Sequence, residues 1–596
     1  MNPYKELIVE NLQNNPKEEK QMRILKEKRK IRLRRGLTAI LAVTIAFGLI
    51  VTVAPPAGRS AIAAEISTIN IGPRANDYED PVGAVYVATN GNDVTATGSI
   101  DKPYKSINTA LTAANPGDTV VLREGTYHEK NNVRFRKPNI TLKSAKNEWA
   151  IIDFPLSDDP DAWKQTSAIR FDPESAGSKL QAVEVIGGFY AVCMETTWEW
   201  HISDPYFYGP GASNIIIEDC VLHDSRNDVV KIKPNCNNIT IRFNEIYNSG
   251  REHIDSPYFI KGECNSEGID NVNGDEMKVY NNYIHDICST GVYAKGGAVN
   301  ALMEYNRIER AYAAGIMVGF DTTPRFFKPE NLSFYENFNG IVRNNLIIDT
   351  GWEGIGLYAS KDAQIYNNTI VNSVTYGTGR HHSPIYFGVA TQDEMNPTGC
   401  PANVNPNIHH NIVVQPSTYN NRMIDIRYAH INVCISLGPP LEFASMYISA
   451  LDGMPTMDYN CYYVAGKSTT FSDNRPTAVL NMGLNVWKTH IGGDTNSIEI
   501  NPQLDENYMP ANPQCEGIGL ENILKINAGP ETPDEDKDKD KDKDDDKGGD
   551  KGNGQEPGGG SGLSGGEIAA IVLGCSGGVA LIGAVSILIV RKRKKI

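Results

Sequence analysis

No segment of the chain carries the dense leucine spacing that a leucine-rich solenoid requires, so that repeat architecture is excluded. There is no Cys-x-x-Cys and no Cys/His spacing suited to a metal, so no zinc-type site is indicated. No Leu-Pro-x-Thr-Gly motif precedes the C-terminal apolar run, so covalent wall sorting is not indicated. Positive charge is in deficit. Against 72 Asp and Glu stand 57 Lys and Arg, a net charge of -15, which argues against a general nucleic-acid binder. Cysteine is sparse, at 10 in 596 residues. Cys575 falls in the apolar run, and the odd remainder leaves at least one thiol unpaired within a monomer. Small, rung-filling roles for Cys193 and Cys220 are preferred over a disulfide framework.

The two ends are targeting segments. Lys26 to Arg35 is basic, Leu37 to Ala54 is apolar, and Ala61-Ile-Ala63 suits a signal cleavage site; an uncleaved anchor is the alternative. Ile568 to Val590 is long enough to span a bilayer, and Arg591 to Lys595 follows as a cytoplasmic flank. The expected layout is a signal peptide or leader (1–64), a linker (65–82), a folded body (83–526), a stalk (527–566), a transmembrane helix (567–590) and a basic cytoplasmic tail (591–596). The acid-base alternation of Asp534 to Lys551 and the Gly/Ser-rich stretch after it form no core, hence the stalk. The body is expected at the cell surface, on a single-pass protein, as a monomer.

What the body does contain is a repeated phrase. Asn-Ile-Ile-Ile-Glu-Asp-Cys-Val-Leu-His-Asp (214–224) returns in varied form, anchored on Cys220, Asn244, Asn282, Asn306, Asn345 and Asn368. The base period is about 24 residues with two larger steps, the mark of a repeat fold. A second phrase follows in each period: Asp228–Lys233, Glu267–Val272, Thr290–Lys295, Ala314–Gly319 and Glu353–Tyr358. Short strands with period-two alternation bury themselves only by stacking. The fold class is therefore all-β, a parallel β-helix with rungs about 4.8 Å apart. Inward Asn at one corner predicts a hydrogen-bonded ladder. Ile107, Ala110, Leu111 and Ala114, at helical spacing before Asn115-Pro-Gly-Asp118, predict a short capping helix at the N-terminal end.

The run Tyr86–Tyr127 resembles the entrance of secreted right-handed parallel β-helix proteins of the pectate lyase-like superfamily, with Lys102-Pro-Tyr and Gly125-Thr-Tyr at the expected places. Asp458–Tyr463, Trp487, Gly492-Gly-Asp494 and Asn501-Pro-Gln-Leu504 are similar to the closing rungs of the same proteins. The resemblance covers about residues 83–520. It implies a right-handed helix, and a family that contains lyases, glycosidases, epimerases and non-enzymes.

Long insertions wall the sheet formed by the second phrase: Thr197–Gly211, Ser249–Ser266, Phe320–Asn339, Ser373–His382 and Thr391–Pro406. Faces flanked by long loops are where binding and catalysis concentrate. Parity points Val230, Ile269, Val292, Ile316 and Ile355 inward. It points Lys231, Asp270, Tyr293, Met317 and Gly356 outward, with Lys233, Lys295 and Tyr358 two positions on. Lys231 then neighbours Asp270, and Asp228 lies beside Glu267.

Acidic polysaccharides are cleaved by β-elimination when a cation neutralises the uronate carboxylate and a base removes the adjacent proton. Lys231, Lys233 and Lys295 are the candidate bases. Asp228, Glu267 and Asp270 are candidate hard-oxygen ligands for Ca²⁺. Tyr293, Tyr358, His253, Arg380, His381, Trp198 and Trp200 are candidate contacts to the sugar. Asp228–Lys233 is similar to the acid-x-x-x-x-Lys strand of chondroitinase B and alginate lyases, and to the Asp-Asp strand of polygalacturonases, with Asn227 in place of the first acid. The expected function is a cell-surface polysaccharide lyase on a uronate-containing glycan. A surface glycan-binding or adhesive protein and a hydrolase with paired carboxylates are the alternatives.

Overall fold

Every rung turns on a residue in the left-handed backbone region followed by a residue that points inward. The turning residues include Asp219, Phe243, Asn281, Tyr305, Asn344, Asn367, His410 and Tyr459, all with φ between 51° and 59°. The residues after them are Cys220, Asn244, Asn282, Asn306, Asn345, Asn368, Asn411 and Asn460, all fully buried. Asn and Asp tolerate the left-handed region well. Phe243 and Tyr305 are held there by the stacked rungs. The side-chain amide of Asn244 donates to Asn282 at 3.0 Å, that of Asn282 to Asn306 at 3.0 Å, and that of Asn306 to Asn345 at 3.0 Å, and the ladder continues to Asn460.

Around these corners three 12-stranded sheets run the length of the molecule among the described residues. One contains Ile216–Glu218, the next Val221–His223 and the third Val230–Ile232. Pairing is parallel and in register from rung to rung, until Val479–Met482 closes the third sheet antiparallel to Phe471–Asp473. The fold is thus the parallel β-helix that the repeat predicts. The inward positions Val230, Ile269, Val292, Ile316 and Ile355 are all fully buried in one continuous core. The repeated Gly of the second phrase has a packing cause. A Cβ on Gly268 would lie 2.5 Å from the carbonyl of Gly291, and one on Gly291 would lie 2.6 Å from that of Gly315.

The structure, a computed structural model, describes residues 67–529 except 156–166, 198–208, 252–263, 324–325, 329, 332, 377–381, 390–400, 435–442 and 477–478. The leader, the stalk from residue 530, the apolar run and the basic tail lie outside the described residues. So do Trp198, Trp200, His253, Arg380 and His381. Among the described residues no helix is long and apolar enough to cross a membrane.

Both ends of the core are covered. Helix α1 (Ile107–Ala113) buries Ile107, Ala110 and Leu111, as the spacing predicts. A second helix, α2 (Leu484–Ile491), buries Leu484, Trp487 and Ile491, and Trp487 stacks on Phe471 at 5.4 Å. The expected linker 65–82 is different in the structure. From Thr68 it is part of the fold, pairing Thr68–Ile71 in parallel with Ile523–Ile526. Ile71 and Leu524 pack on Leu346 and Ile348, apolar residues on the outside of the helix that would otherwise face water. Arg74 then clamps Asp219 through two bonds of 2.7 Å. One disulfide is present among the described residues, Cys264–Cys288, while Cys193 and Cys220 are free and buried.

The ladder makes a stability prediction. Asn306→Ala removes the acceptor for the backbone N–H and side-chain amide of Asn282, and the donor to Asn345. Each buried orphan costs about 1–3 kcal/mol. The Asn282 amide keeps the Ile241 and Tyr280 carbonyls and Asn345 Oδ1 keeps the Asn306 N–H, so the Asn282 N–H is the main orphan and the loss is expected to be about 1–3 kcal/mol, read as a lowered denaturation midpoint in urea.

Candidate active site

The third sheet brings the second-phrase residues to one outward face. Its register runs Cys193, Lys231, Asp270, Tyr293, Met317, Gly356, Tyr386 and Asp425 across successive rungs. Lys231 sits beside Asp270, as parity requires.

At the first of these rungs Asp228, Glu267 and Asp270 converge. They are at most 2% exposed, and one oxygen from each lies within 4.8 Å of the others. Asp228 Oδ1 accepts from the backbone N–H of Glu267 at 3.0 Å. Lys231 donates to Asp270 and lies 3.0 Å from Asp228 Oδ2. Burial pulls the Lys231 ammonium down, but the two carboxylates outweigh it and hold it well above the usual lysine range. Burial, reinforced by Asp228 and Asp270, pushes the Glu267 carboxyl well above the usual range. Burial also raises Asp270, yet Lys231 and Lys295 overcome it and hold that carboxyl down.

The three lysines have different surroundings. Lys231 is an internal counter-ion, so its expected place as a free base on the groove floor is not what the structure gives it. Lys233 is gripped by Glu195 at 2.7 and 2.9 Å. Lys295 comes no closer than 3.8 Å to a described carboxylate, that of Asp270, and lies over the Tyr293 ring at 4.5 Å and the Phe320 ring at 5.8 Å. Arg170, one rung before Lys231's immediate neighbour, pairs with Asp172 at 2.7 Å.

The carboxylate trio suits Ca²⁺ in donor type. All ligands are hard oxygens, and Glu267 Oε2 and Asp270 Oδ1 make no hydrogen bond. Lys231 already supplies positive charge there, so ammonium and metal compete for the same carboxylates.

An aromatic stripe continues along the same face. Tyr293 stacks on Phe320 at 5.2 Å, Phe320 meets Tyr358 edge-on at 5.2 Å, and Tyr358 meets Tyr386 at 5.9 Å. The stripe needs a flat floor. A Cβ on Gly388 would lie 1.9 Å from the Tyr358 ring. At its far end is a second polar cluster that sequence reasoning passed over. Glu353, fully buried, accepts from Tyr358 Oη at 2.6 Å and from His382 Nδ1 at 2.6 Å. His382 stacks on Trp352 at 5.0 Å. Burial raises the Glu353 carboxyl, but His382 and Tyr358 outweigh it and hold it below the usual range. The signal was present, since Glu353-Gly-Ile repeats Glu267-Gly-Ile in the same rung position.

A family model described as a right handed beta helix region matches residues 206–385, and one described as a protein of unknown function, DUF1565, matches 89–144. A pectate lyase, PEL9 of Emericella nidulans, is 36% identical over 74 residues, spanning 12% of this chain and 18% of that protein. The chain therefore covers under a fifth of the curated relative's length. Among solved structures, pectate lyase Pel9A is 15% identical over 61% of this chain and 80% of that one, with a TM-score of 0.34. A PL6 alginate lyase in complex with trisaccharide is 14% identical over 75% and 97%, at 0.38. PfbA, a surface adhesin of Streptococcus pneumoniae, is 13% identical over 66% and 94%, at 0.38.

Proposed function

We propose that this right-handed, pectate lyase-like β-helix is a polysaccharide lyase that cleaves a uronate-containing glycan along the outward face of its third sheet. The observation that carries the reading is Lys295. It is a lysine on the groove floor, packed against two aromatic rings and bound tightly to no described carboxylate.

In the proposed reaction Lys295 takes the proton from C5 of the uronate. The electron pair forms the C4=C5 double bond, and the C4–O bond breaks to release the preceding sugar chain, whose oxygen takes up a proton. The partly exposed Phe320 ring, backed by the buried Tyr293 and Tyr358, offers a face on which a sugar ring stacks. Lys233 lies two rungs or about 10 Å from Lys295 and is paired with Glu195, so it faces the neighbouring sugars of the chain and not the carboxylate of the cleaved uronate. Asp228, Glu267 and Asp270 would hold Ca²⁺, which when bound neutralises the carboxylate and so acidifies the C5 proton.

One observation favours a second reading. Glu267 is pushed up while Asp270 is held down, which is how a hydrolase separates its acid from its base. The two are separated by assaying the protein on a panel of acidic polysaccharides. Elimination yields an unsaturated product that absorbs in the ultraviolet. Reducing ends without that absorbance indicate hydrolysis, and binding without either product indicates an adhesin.

The reading includes display at the cell surface. The basic and apolar leader, the charged stalk and the apolar run before Arg591–Lys595 support a domain exported and tethered at its C-terminus.

A further inference from the structure

Nearly all the cations on the active face are spoken for. Arg134 and Arg170 pair with Asp172, Lys231 with Asp228 and Asp270, Lys233 with Glu195, and Arg475 with Asp473. Arg422 lies 3.8 Å from Asp425. Arg427 differs. Among the described residues it has no carboxylate within ion-pair distance, and it is partly exposed at the end of the aromatic stripe.

Beside it is a buried hydroxyl in an unusual state. Tyr386 is fully buried, and its Oη, which the Arg427 side chain approaches, falls short of full hydrogen-bond geometry with any group. A buried donor left in that state calls for an explanation such as a bound ligand or water. Burial pushes the hydroxyl well above the usual tyrosine range, despite the nearby Arg427 charge, so it is a donor at every working pH. The third group is His382. Its Nδ1 is bonded to Glu353, which leaves Nε2 as the ring nitrogen not engaged with that carboxylate. The Trp352 ring fixes the imidazole plane. A guanidinium, a phenolic hydroxyl and an imidazole therefore sit together at the end of the aromatic stripe.

We infer that Arg427, Tyr386 and His382 form a second subsite, which takes the carboxylate of a uronate bound several units away from the one that is cleaved. Arg427 forms the forked pair with the carboxylate. Tyr386 donates to the same sugar, and His382 Nε2 makes a hydrogen bond with one of its hydroxyls. Tyr386 lies three rungs from Lys295, about 14 Å by the rung spacing. A pyranose in an extended chain advances by close to one rung, so the two centres hold one glycan about three units apart. Nothing in the geometry requires the second cluster to break a bond. Glu353 is a positioning residue for His382. The inference rests on the uronate-lyase reading of the same face.

The test measures binding by isothermal titration of the full chain carrying Lys295→Ala, so that the ligand is not consumed. The probes are galacturonate and mannuronate oligomers of two and five units, and the five-unit oligomers with their carboxylates reduced to alcohols. The pentamer of the recognised uronate is expected to bind about tenfold more tightly than its dimer, the gain of one charge-assisted contact. Arg427→Gln, in that background, is expected to remove that gain and leave dimer binding unchanged. Tyr386→Phe is expected to remove part of it, and the reduced pentamer to bind no better than the dimer. A length gain that survives Arg427→Gln overturns the subsite and leaves the lyase reading standing. If no acidic oligomer binds, and the unsubstituted protein forms no unsaturated product on any acidic polymer, both are overturned. Unchanged circular dichroism of the two variants separates either result from misfolding.

Discussion

Lys295→Ala is expected to lower the rate of unsaturated-product formation by about 10²–10⁴-fold, the usual contribution of a positioned general base. The fold is expected to stay intact. Lys295 points out of the core, and its nearest described carboxylate is 3.8 Å away, so no tight buried pair is broken. Its removal leaves Asp270 still paired to Lys231. Lys233→Ala, by contrast, leaves Glu195 unpaired two rungs from the cleaved sugar and weakens the hold on neighbouring units of the chain, so it is expected to raise KM more than it lowers kcat. The measurement is the initial rate of ultraviolet absorbance increase on the polymer found active in the panel, with ellipticity as a fold control. Full activity in Lys295→Ala sinks the base assignment. The base would then have to be another group lining the same face, to be sought by the same absorbance assay.

That assignment shows what the sequence conveys and what it withholds. The rung period, the Asn ladder and the inward positions are legible because one rung fixes them all: a misplaced Asn306 or Val292 would break register with both neighbours. Outward direction is legible for the same reason, and it correctly puts Lys231, Asp270 and Tyr293 side by side. Parity carries no information on which outward group satisfies which. Asp228 stands three residues before Lys231 and Asp270 stands 39 residues after it in the chain, and both lean on its ammonium.

The strap Thr68–Ile71 hides for a related reason. Its partner strand Ile523–Ile526 is at the other end of the domain, and the apolar patch it covers, Leu346 and Ile348, belongs to outward positions. The Tyr386 and Arg427 cluster is obscured by irregular spacing. An insertion precedes Ile385 and another separates it from Ile424, so the second phrase no longer falls at a fixed distance. Glu353 alone of that cluster sits inside an intact copy of the phrase.

Lys231→Met tests the nature of the carboxylate trio without any assay of activity. The substitution keeps much of the side-chain volume and deletes the charge that Asp228 and Asp270 share. Removing one partner from a buried ion pair costs about 3–5 kcal/mol, since the carboxylates left behind repel one another in a dry site. Glu267 is already pushed up by burial and by its two neighbours, and it adds no positive charge. In the presence of a chelator the variant is therefore expected to melt well below the unsubstituted protein. Ca²⁺ should then reverse the loss. An ion that binds only the folded chain stabilises it by RT ln(1 + [L]/Kd), about 2.7 kcal/mol at a hundredfold excess over Kd. The unsubstituted protein should respond much less, because Lys231 competes for the same oxygens. Combining Lys231→Met with Asp228→Asn and Asp270→Asn deletes two of the three ligands, and should remove the calcium response while restoring stability in chelator. A Lys231→Met melting temperature that Ca²⁺ leaves where the chelator put it would show that the trio holds a lysine and not a metal. Carboxylate neutralisation in the proposed reaction would then fall to cationic side chains of the same face.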